Sequence, residues 1–162
     1  MSRYRVRVAK DYTVFASAHF VTYDGDQSEP IHGHNYRAAV VIEGDLDENH
    51  YVFNFVPLKR QLRAICDRLD HRLLLPTGNP IIAITQDSTS FLIQQGQKRY
   101  VIPMEDVVQL PIPNTTAELL ATWISDQLVA WLGQTGVAGL TALEVEVEEV
   151  FGQTATYRRS LA

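Results

Sequence analysis

An α+β fold is the reading that the 162-residue chain supports, on three observations. Strand-like segments crowd the start of the chain, ahead of any helical pattern. Two amphipathic helical stretches are then separated by a proline-rich, irregular tract. One further strand closes the sequence. The order is β-β-β, helix, insert, helix, β, whereas an alternating βαβ protein would interleave the two throughout.

Tyr4 to Ala9 alternates in polarity, and Tyr12 to Phe20 is short, β-rich and bounded by polar residues. A polar loop runs from Tyr23 to Pro30, with Asp24-Gly25-Asp26 as its turn. His32 to Gly44 reads as a long strand around Val40, Val41 and Ile42, and Asp45 to Asn49 as a turn. The first helix is expected from Asn54 or Phe55, because proline is tolerated in an opening turn and Pro57 would lie there. Leu58, Leu62, Ile65, Cys66 and Leu69 recur at helical spacing, and the helix should end at Asp70-His71.

Pro76 to Pro113 holds five of the seven prolines. Inside it, Ser90 to Ile93 and Arg99 to Ile102 flank Gln95-Gly96-Gln97, the pattern of an inserted β-hairpin. Thr115-Thr116-Ala117-Glu118 has the form of a capping box, with Thr115 as N-cap and Glu118 three residues on. Ala117, Leu120, Ala121, Ile124, Leu128, Trp131 and Leu132 then form an apolar stripe, and Gly133 is the expected stop. The last strand reads from Leu143 to Phe151.

This length suits a single domain over residues 1–162. The lone Cys66 excludes an internal disulfide framework and any CxxC site. A net charge of −5 argues against a general nucleic-acid binder. No apolar run is long enough to cross a membrane as a helix. Residues Met1 to Arg5 lead into a strand pattern without a signal peptide's apolar centre, so the expected location is cytoplasmic.

Four of the five histidines fall where chemistry is conceivable. In His32-Gly33-His34 the imidazoles are two apart on a strand and project to one face. His19 ends an earlier strand that can lie alongside. Three neutral imidazoles suit a divalent transition metal, zinc first, and leave a fourth position open as catalytic zinc requires. Two exposed strand histidines and an unrelated third are the competing reading. Asp70-His71 is either an imidazole acid/base oriented by a carboxylate or simple capping at a helix C-terminus. In the last strand Leu143, Val145 and Val147 share a face, and Glu149 continues it. A carboxylate in phase with a core needs a partner, for which the amino and N–H edge of a guanine-like ring is suited. Otherwise the strand ends or bulges and Glu149 is solvated. Cys66 fits the core, His50 the surface, and Arg72, Arg158 and Arg159 either solvent or an anionic substrate.

Taken together, Phe15 to Phe20, His32-Gly33-His34-Asn35-Tyr36, Phe53-Asn54-Phe55, Leu58-Lys59, Leu69-Asp70-His71, Thr116-Ala117-Glu118 and Glu149 resemble the 6-pyruvoyl/6-carboxy-tetrahydropterin synthase family over most of the chain. Residues from about 81 to 110 fall outside the common pattern and read as an insertion. The resemblance implies a T-fold, an antiparallel sheet with two helices on one face, assembled into a closed homo-oligomer, typically a hexamer. It implies zinc on His19, His32 and His34, an acid/base pair in Asp70 and His71, a pterin anchor in Glu149, and support for the pterin pocket from Thr116 and Glu118. Sites of this family usually form between subunits.

Many members carry a catalytic cysteine four residues before the H-G-H motif, where this chain has Ser28. A subgroup instead carries a glutamate in that loop and cleaves dihydroneopterin in an aldolase-like way to 6-hydroxymethyl-dihydropterin. Glu29 is the matching candidate base, with its backbone held extended by Pro30. The implied activity is that of a zinc-dependent lyase acting on the side chain of 7,8-dihydroneopterin or its triphosphate. The alternatives are a zinc- and pterin-binding homologue without catalysis, and a T-fold enzyme for a purine-like ring. The implied partner is a small pterin, with no nucleic acid and no membrane.

Overall fold

The computed structural model describes residues 4–161. Its strands are β1 (Tyr4–His19), β2 (Thr22–Tyr23), β3 (Gln27–Ser28), β4 (His32–Gly44), β5 (Arg72–Pro76), β6 (Ala83–Gln86), β7 (Ser90–Gln95), β8 (Lys98–Pro103), β9 (Val107–Leu110), β10 (Leu140–Val150) and β11 (Gln153–Ser160). Its helices are α1 (Phe55–Leu69) and α2 (Ala117–Thr135). The main sheet has the order β11-β10-β4-β1-β5-β9.

The two strands expected before the loop are one strand, β1, whose register against β4 shifts between Ala9 and Val14. At that irregularity the buried Thr13 hydroxyl lies 2.9 Å from the carbonyls of Lys10 and Ala38, and it accepts from the Lys10 N–H. A side chain thus replaces ladder hydrogen bonds where the strands slip.

Both helices lie against one face of the sheet. Leu58, Leu62, Ile65 and Leu69 of α1 and Leu120, Ile124 and Leu128 of α2 share a core with Phe15, Tyr36, Val40, Ile42, Leu143, Val145 and Val147. The opposite face carries cross-strand ion pairs, Arg5 with Glu144, Arg7 with Glu146 and Arg158 with Glu43. A second core covers the other side of β5. Leu74 belongs to the first core, whereas Leu73 and Leu75 pack with Phe20, Ile82, Phe91 and Ile93. The alternation of a strand sends neighbours to opposite faces, so β5 joins the two cores.

Several boundaries differ from the sequence reading. The sheet is mixed rather than purely antiparallel, since β5 runs parallel to both β1 and β9. The insert is a three-stranded unit, β6-β7-β8, and Val107–Leu110 belongs to the main sheet. Strand β11 lies beyond the strand expected to be last, and its polar residues sit on a half-exposed edge. Asn54 caps α1 as expected, accepting from the Val56 N–H at 2.9 Å. The cap of α2 is Thr116 rather than Thr115, which places Glu118 at the second helical position. Thr115 is drawn into the interior, where its hydroxyl donates to the Phe20 carbonyl at 2.9 Å. Helix α2 runs through Gly133 and ends at Gly136, whose φ of +70° is the left-handed conformation glycine adopts without steric cost.

Candidate metal centre and active site

Strand pairing assembles the histidines. His19 sits opposite His32 in the β1–β4 register, and Ser17 opposite His34. The three imidazole centroids lie 4.7, 5.2 and 4.9 Å apart, on the helix-covered face with Phe15 and Tyr36. Gly33 makes the close approach possible, because a Cβ there would meet the Ser17 carbonyl at 3.1 Å.

Hydrogen bonds set the tautomers. The His19 Nδ1–H donates to the Thr115 carbonyl at 2.9 Å, and the His32 Nδ1–H donates to the Pro30 carbonyl at 2.9 Å. A carbonyl can only accept, so Nδ1 carries the proton and Nε2 keeps a lone pair in each neutral ring. Burial pushes His19 below its ordinary pKa, with the Thr115 bond and Glu149 opposing, which also favours the neutral ring. The His19 Nε2 is buried and makes no hydrogen bond. One nitrogen from each of His19, His32 and His34 lies within 4.8 Å of the others, so the three could hold a metal ion. Imidazole donors fixed by carbonyls and an otherwise orphaned Nε2 fit zinc.

Glu149 reaches this cluster. The β10–β11 register shifts between Glu148 and Val150, yet the carboxylate stays on the inner face. Its Oε1 lies 3.4 Å from His19 Nε2 and 3.6 Å from His34 Nε2, and it accepts from the Tyr36 hydroxyl at 3.3 Å. Tyr36 was not singled out as a site residue, although alternation from His32 and His34 puts it on their face. Burial, reinforced by Glu149, drives its phenol pKa far upward, so the hydroxyl remains a donor. Glu149 borders two cavities. One of about 370 Å³ also touches Val21, Thr116 and Glu118. A larger open one of about 800 Å³ also touches His34, His71 and Arg72.

Asp70 and His71 are not part of the three-imidazole group, although His71 shares the larger cavity with His34 and Glu149. Asp70 accepts the Ala16 N–H at 2.7 Å and lies 2.9 Å from His71 Nδ1. Burial opposes ionisation of Asp70, but the Ala16 N–H and His71 outweigh it and hold the carboxyl below the usual range. The His71 N–H returns a bond to the Ala16 carbonyl at 2.7 Å, while its side chain is 81% exposed. The pair is therefore firmly built and open to the outside.

The Ser28-Glu29 loop separates its two side chains. Glu29 exchanges two bonds with Val21, donating its N–H to the Val21 carbonyl at 3.0 Å and accepting the Val21 N–H on Oε2 at 3.2 Å. The same oxygen lies 3.9 Å from His32 Nε2. The Ser28 hydroxyl turns away and donates to Gln95 Oε1 at 2.7 Å. Cys66 is buried in the helix core, where desolvation pushes its thiol up to about 12.

Comparison with known proteins places this arrangement. The family model for 6-pyruvoyl tetrahydropterin synthase matches residues 8–160. A putative 6-carboxy-5,6,7,8-tetrahydropterin synthase of Methanocaldococcus jannaschii is 35% identical over 148 residues, covering 91% of this chain and 90% of that protein. Dihydroneopterin monophosphate aldolase of Pyrococcus furiosus is 37% identical over 60 residues, covering 37% of this chain and 50% of that one. Among solved structures, 6-pyruvoyltetrahydropterin synthase of Plasmodium vivax superposes with a TM-score of 0.93 at 29% identity, covering 99% of this chain and 100% of that one. A variant of that enzyme in which a catalytic glutamate is replaced by alanine superposes equally well.

Proposed function

The chain belongs to the 6-pyruvoyl tetrahydropterin synthase family, and from that premise we propose that it is a zinc-dependent lyase acting on the side chain of 7,8-dihydroneopterin or a phosphorylated form of it. The favoured reaction is aldol-type cleavage to 6-hydroxymethyl-dihydropterin. The observation that carries this reading is the Glu29 carboxylate 3.9 Å from His32, one of three converging imidazoles, with the Ser28 hydroxyl bonded to Gln95 instead. The relatives add support, since one acts as an aldolase on dihydroneopterin monophosphate and another employs a catalytic glutamate.

Zinc held by His19, His32 and His34 would supply Lewis acidity toward a side-chain oxygen. Glu29 takes the proton from the side-chain hydroxyl next to the breaking carbon–carbon bond. The bond electrons pass to the carbon attached to the ring, the far fragment leaves as an aldehyde, and that carbon then takes up a proton. His71, held by Asp70, is suited to supply one. Glu149, with Thr116 and Glu118 across the smaller cavity, holds the pterin ring so that its side chain faces the imidazoles. The exposure of His71 fits a site completed by another copy of the chain, in keeping with a homo-oligomer, a hexamer by family resemblance. Among the described residues no helix is long and apolar enough to cross a membrane, and the proposed location is cytoplasmic.

The test is mass spectrometry of products after incubating the zinc-loaded protein with dihydroneopterin, its monophosphate and its triphosphate. A 6-hydroxymethyl product is expected. Unchanged substrates that nevertheless bind would establish the non-catalytic pterin-binding protein instead.

A further inference from the structure

The inserted unit reaches the Glu29 loop through one side chain. Strands β7 and β8 close around Gly96 and Gln97, with Gln95 opposite Lys98, and Gly96 takes a φ of +57°. Lys98 Nζ lies 2.6 Å from the Ser28 carbonyl, 2.9 Å from the Ser28 hydroxyl and 3.3 Å from the Glu29 carbonyl. An ammonium has three protons and no acceptor, so these contacts use its full capacity. Gln95 completes the clasp from a nearly buried position, accepting from the Ser28 hydroxyl and donating to the Asp26 carbonyl.

We propose that Lys98 is a positioning residue for the reaction, and that the inserted hairpin braces the loop carrying Glu29. The proposal rests on the reading of Glu29 as the base. Two further observations support it. The loop is gripped from both sides, because Glu29 is also tied by paired hydrogen bonds to Val21, two residues beyond His19. The hairpin itself is anchored beside His19, since Phe91 and Ile93 pack with Phe20, the residue after His19, and with Leu73 and Leu75 of β5. The metal strand, the loop and the insert therefore share one base, with Lys98 as the strut between insert and loop.

The contacts also exclude a serine–lysine nucleophile. Lys98 acts as a donor to two carbonyls and to the Ser28 hydroxyl, and that hydroxyl spends its own proton on Gln95. Lys98 therefore has no lone pair with which to take the Ser28 proton. What Lys98 does control is the direction of the peptide groups at Ser28 and Glu29, and through them the carboxylate. Charge-assisted bonds to carbonyls are stronger than neutral ones, so a lysine holds this turn more tightly than an uncharged donor can.

The experiment compares Lys98→Met, Lys98→Arg and Gln95→Ala in the zinc-loaded full chain, using whichever of the three dihydroneopterin substrates is turned over. Misplacing a catalytic group by about 1 Å costs on the order of 100-fold in rate. Lys98→Met is therefore expected to lower kcat by about that factor, with KM within about 2-fold. Zinc content should stay unchanged, and amide hydrogen exchange should rise across residues 26–31. Gln95→Ala should loosen the same peptides, Lys98→Arg should recover most of kcat, and Lys98→Met should add no further loss to Glu29→Gln. Unchanged exchange across 26–31 overturns the brace. So does a raised KM at constant kcat, which assigns Lys98 to substrate binding. The exchange readout needs no turnover, so a fully active Glu29→Gln variant would defeat the base reading while leaving the brace to be judged on its own.

Discussion

The Nδ1–H of His19 donates to the main-chain carbonyl of Thr115, 2.9 Å away, just before the second helix. This bond ties the strand-borne His19, one of three histidines that could hold a metal, to the start of α2 and fixes the tautomer that leaves Nε2 without the proton. The Thr115 hydroxyl closes the link by donating to the Phe20 carbonyl. Outer partners of this kind typically contribute about 10–100-fold to metal affinity. His19→Ala is expected to weaken zinc binding by more than that range. Thr115→Val keeps the carbonyl that holds His19, so it should weaken zinc binding by less than about 10-fold, while destabilising the fold by about 1–3 kcal/mol because the buried Phe20 carbonyl loses its donor. Competition with a chelating dye and urea denaturation measure the two effects.

Tyr36 separates packing from polarity at Glu149, the proposed anchor of the pterin ring. Its ring stacks on Phe15 at a centroid distance of 4.8 Å, and only its hydroxyl reaches Glu149. Tyr36→Phe keeps the stack and should change stability by about 1 kcal/mol. Pterin affinity should fall as the Glu149 carboxylate loses its donor. Isothermal titration with a non-reactive pterin checks this, and unchanged affinity would show that Glu149 needs no such support.

Glu29→Ala should abolish turnover while zinc stays bound, since the group that could hold the metal consists of His19, His32 and His34. Ser28→Cys should not install thiol chemistry, because that side chain faces Gln95 and Lys98 rather than the imidazoles. Product analysis of both variants beside metal analysis is decisive. A new product from Ser28→Cys would show that the loop can turn its side chains over.

Asp70 gives the fold a dependence on acid. Its carboxyl is held below the usual range, despite opposing burial, by the Ala16 N–H and His71. A depressed carboxyl stabilises the folded chain fully above the unfolded pKa of about 3.9, and that contribution is lost as pH falls through the lower folded value. Denaturation midpoints measured down to pH 3 should therefore fall less steeply for Asp70→Asn than for the parent protein.

The site was legible in the sequence to the extent that local periodicity governs it. Alternation placed His32 and His34 on one face and carried Glu149 in phase with Val145 and Val147, and helical spacing marked Leu58 to Leu69. Resemblance to a known family added Glu29, Thr116 and Glu118. Strand β5 could not be read locally, because Leu73, Leu74 and Leu75 are all buried between two cores and show no alternation in polarity. The cap of α2 was misplaced by one residue because Thr115 and Thr116 are chemically equivalent caps. Only the distant partners Phe20 and His19 pull Thr115 inward.

By itself, then, the sequence determined which side chains share a face, because that follows from the repeat of a strand or helix. It also determined which residue types were at hand to bind a metal or move a proton. Only the tertiary structure decided the β1–β4 register that converges three imidazoles, the carbonyls that set the tautomers of His19 and His32, and the different partners of Ser28 and Glu29. It alone joined Lys98 to a loop some seventy residues earlier. These are contacts between segments far apart along the chain, and their geometry depends on how whole strands and cores pack rather than on any local pattern.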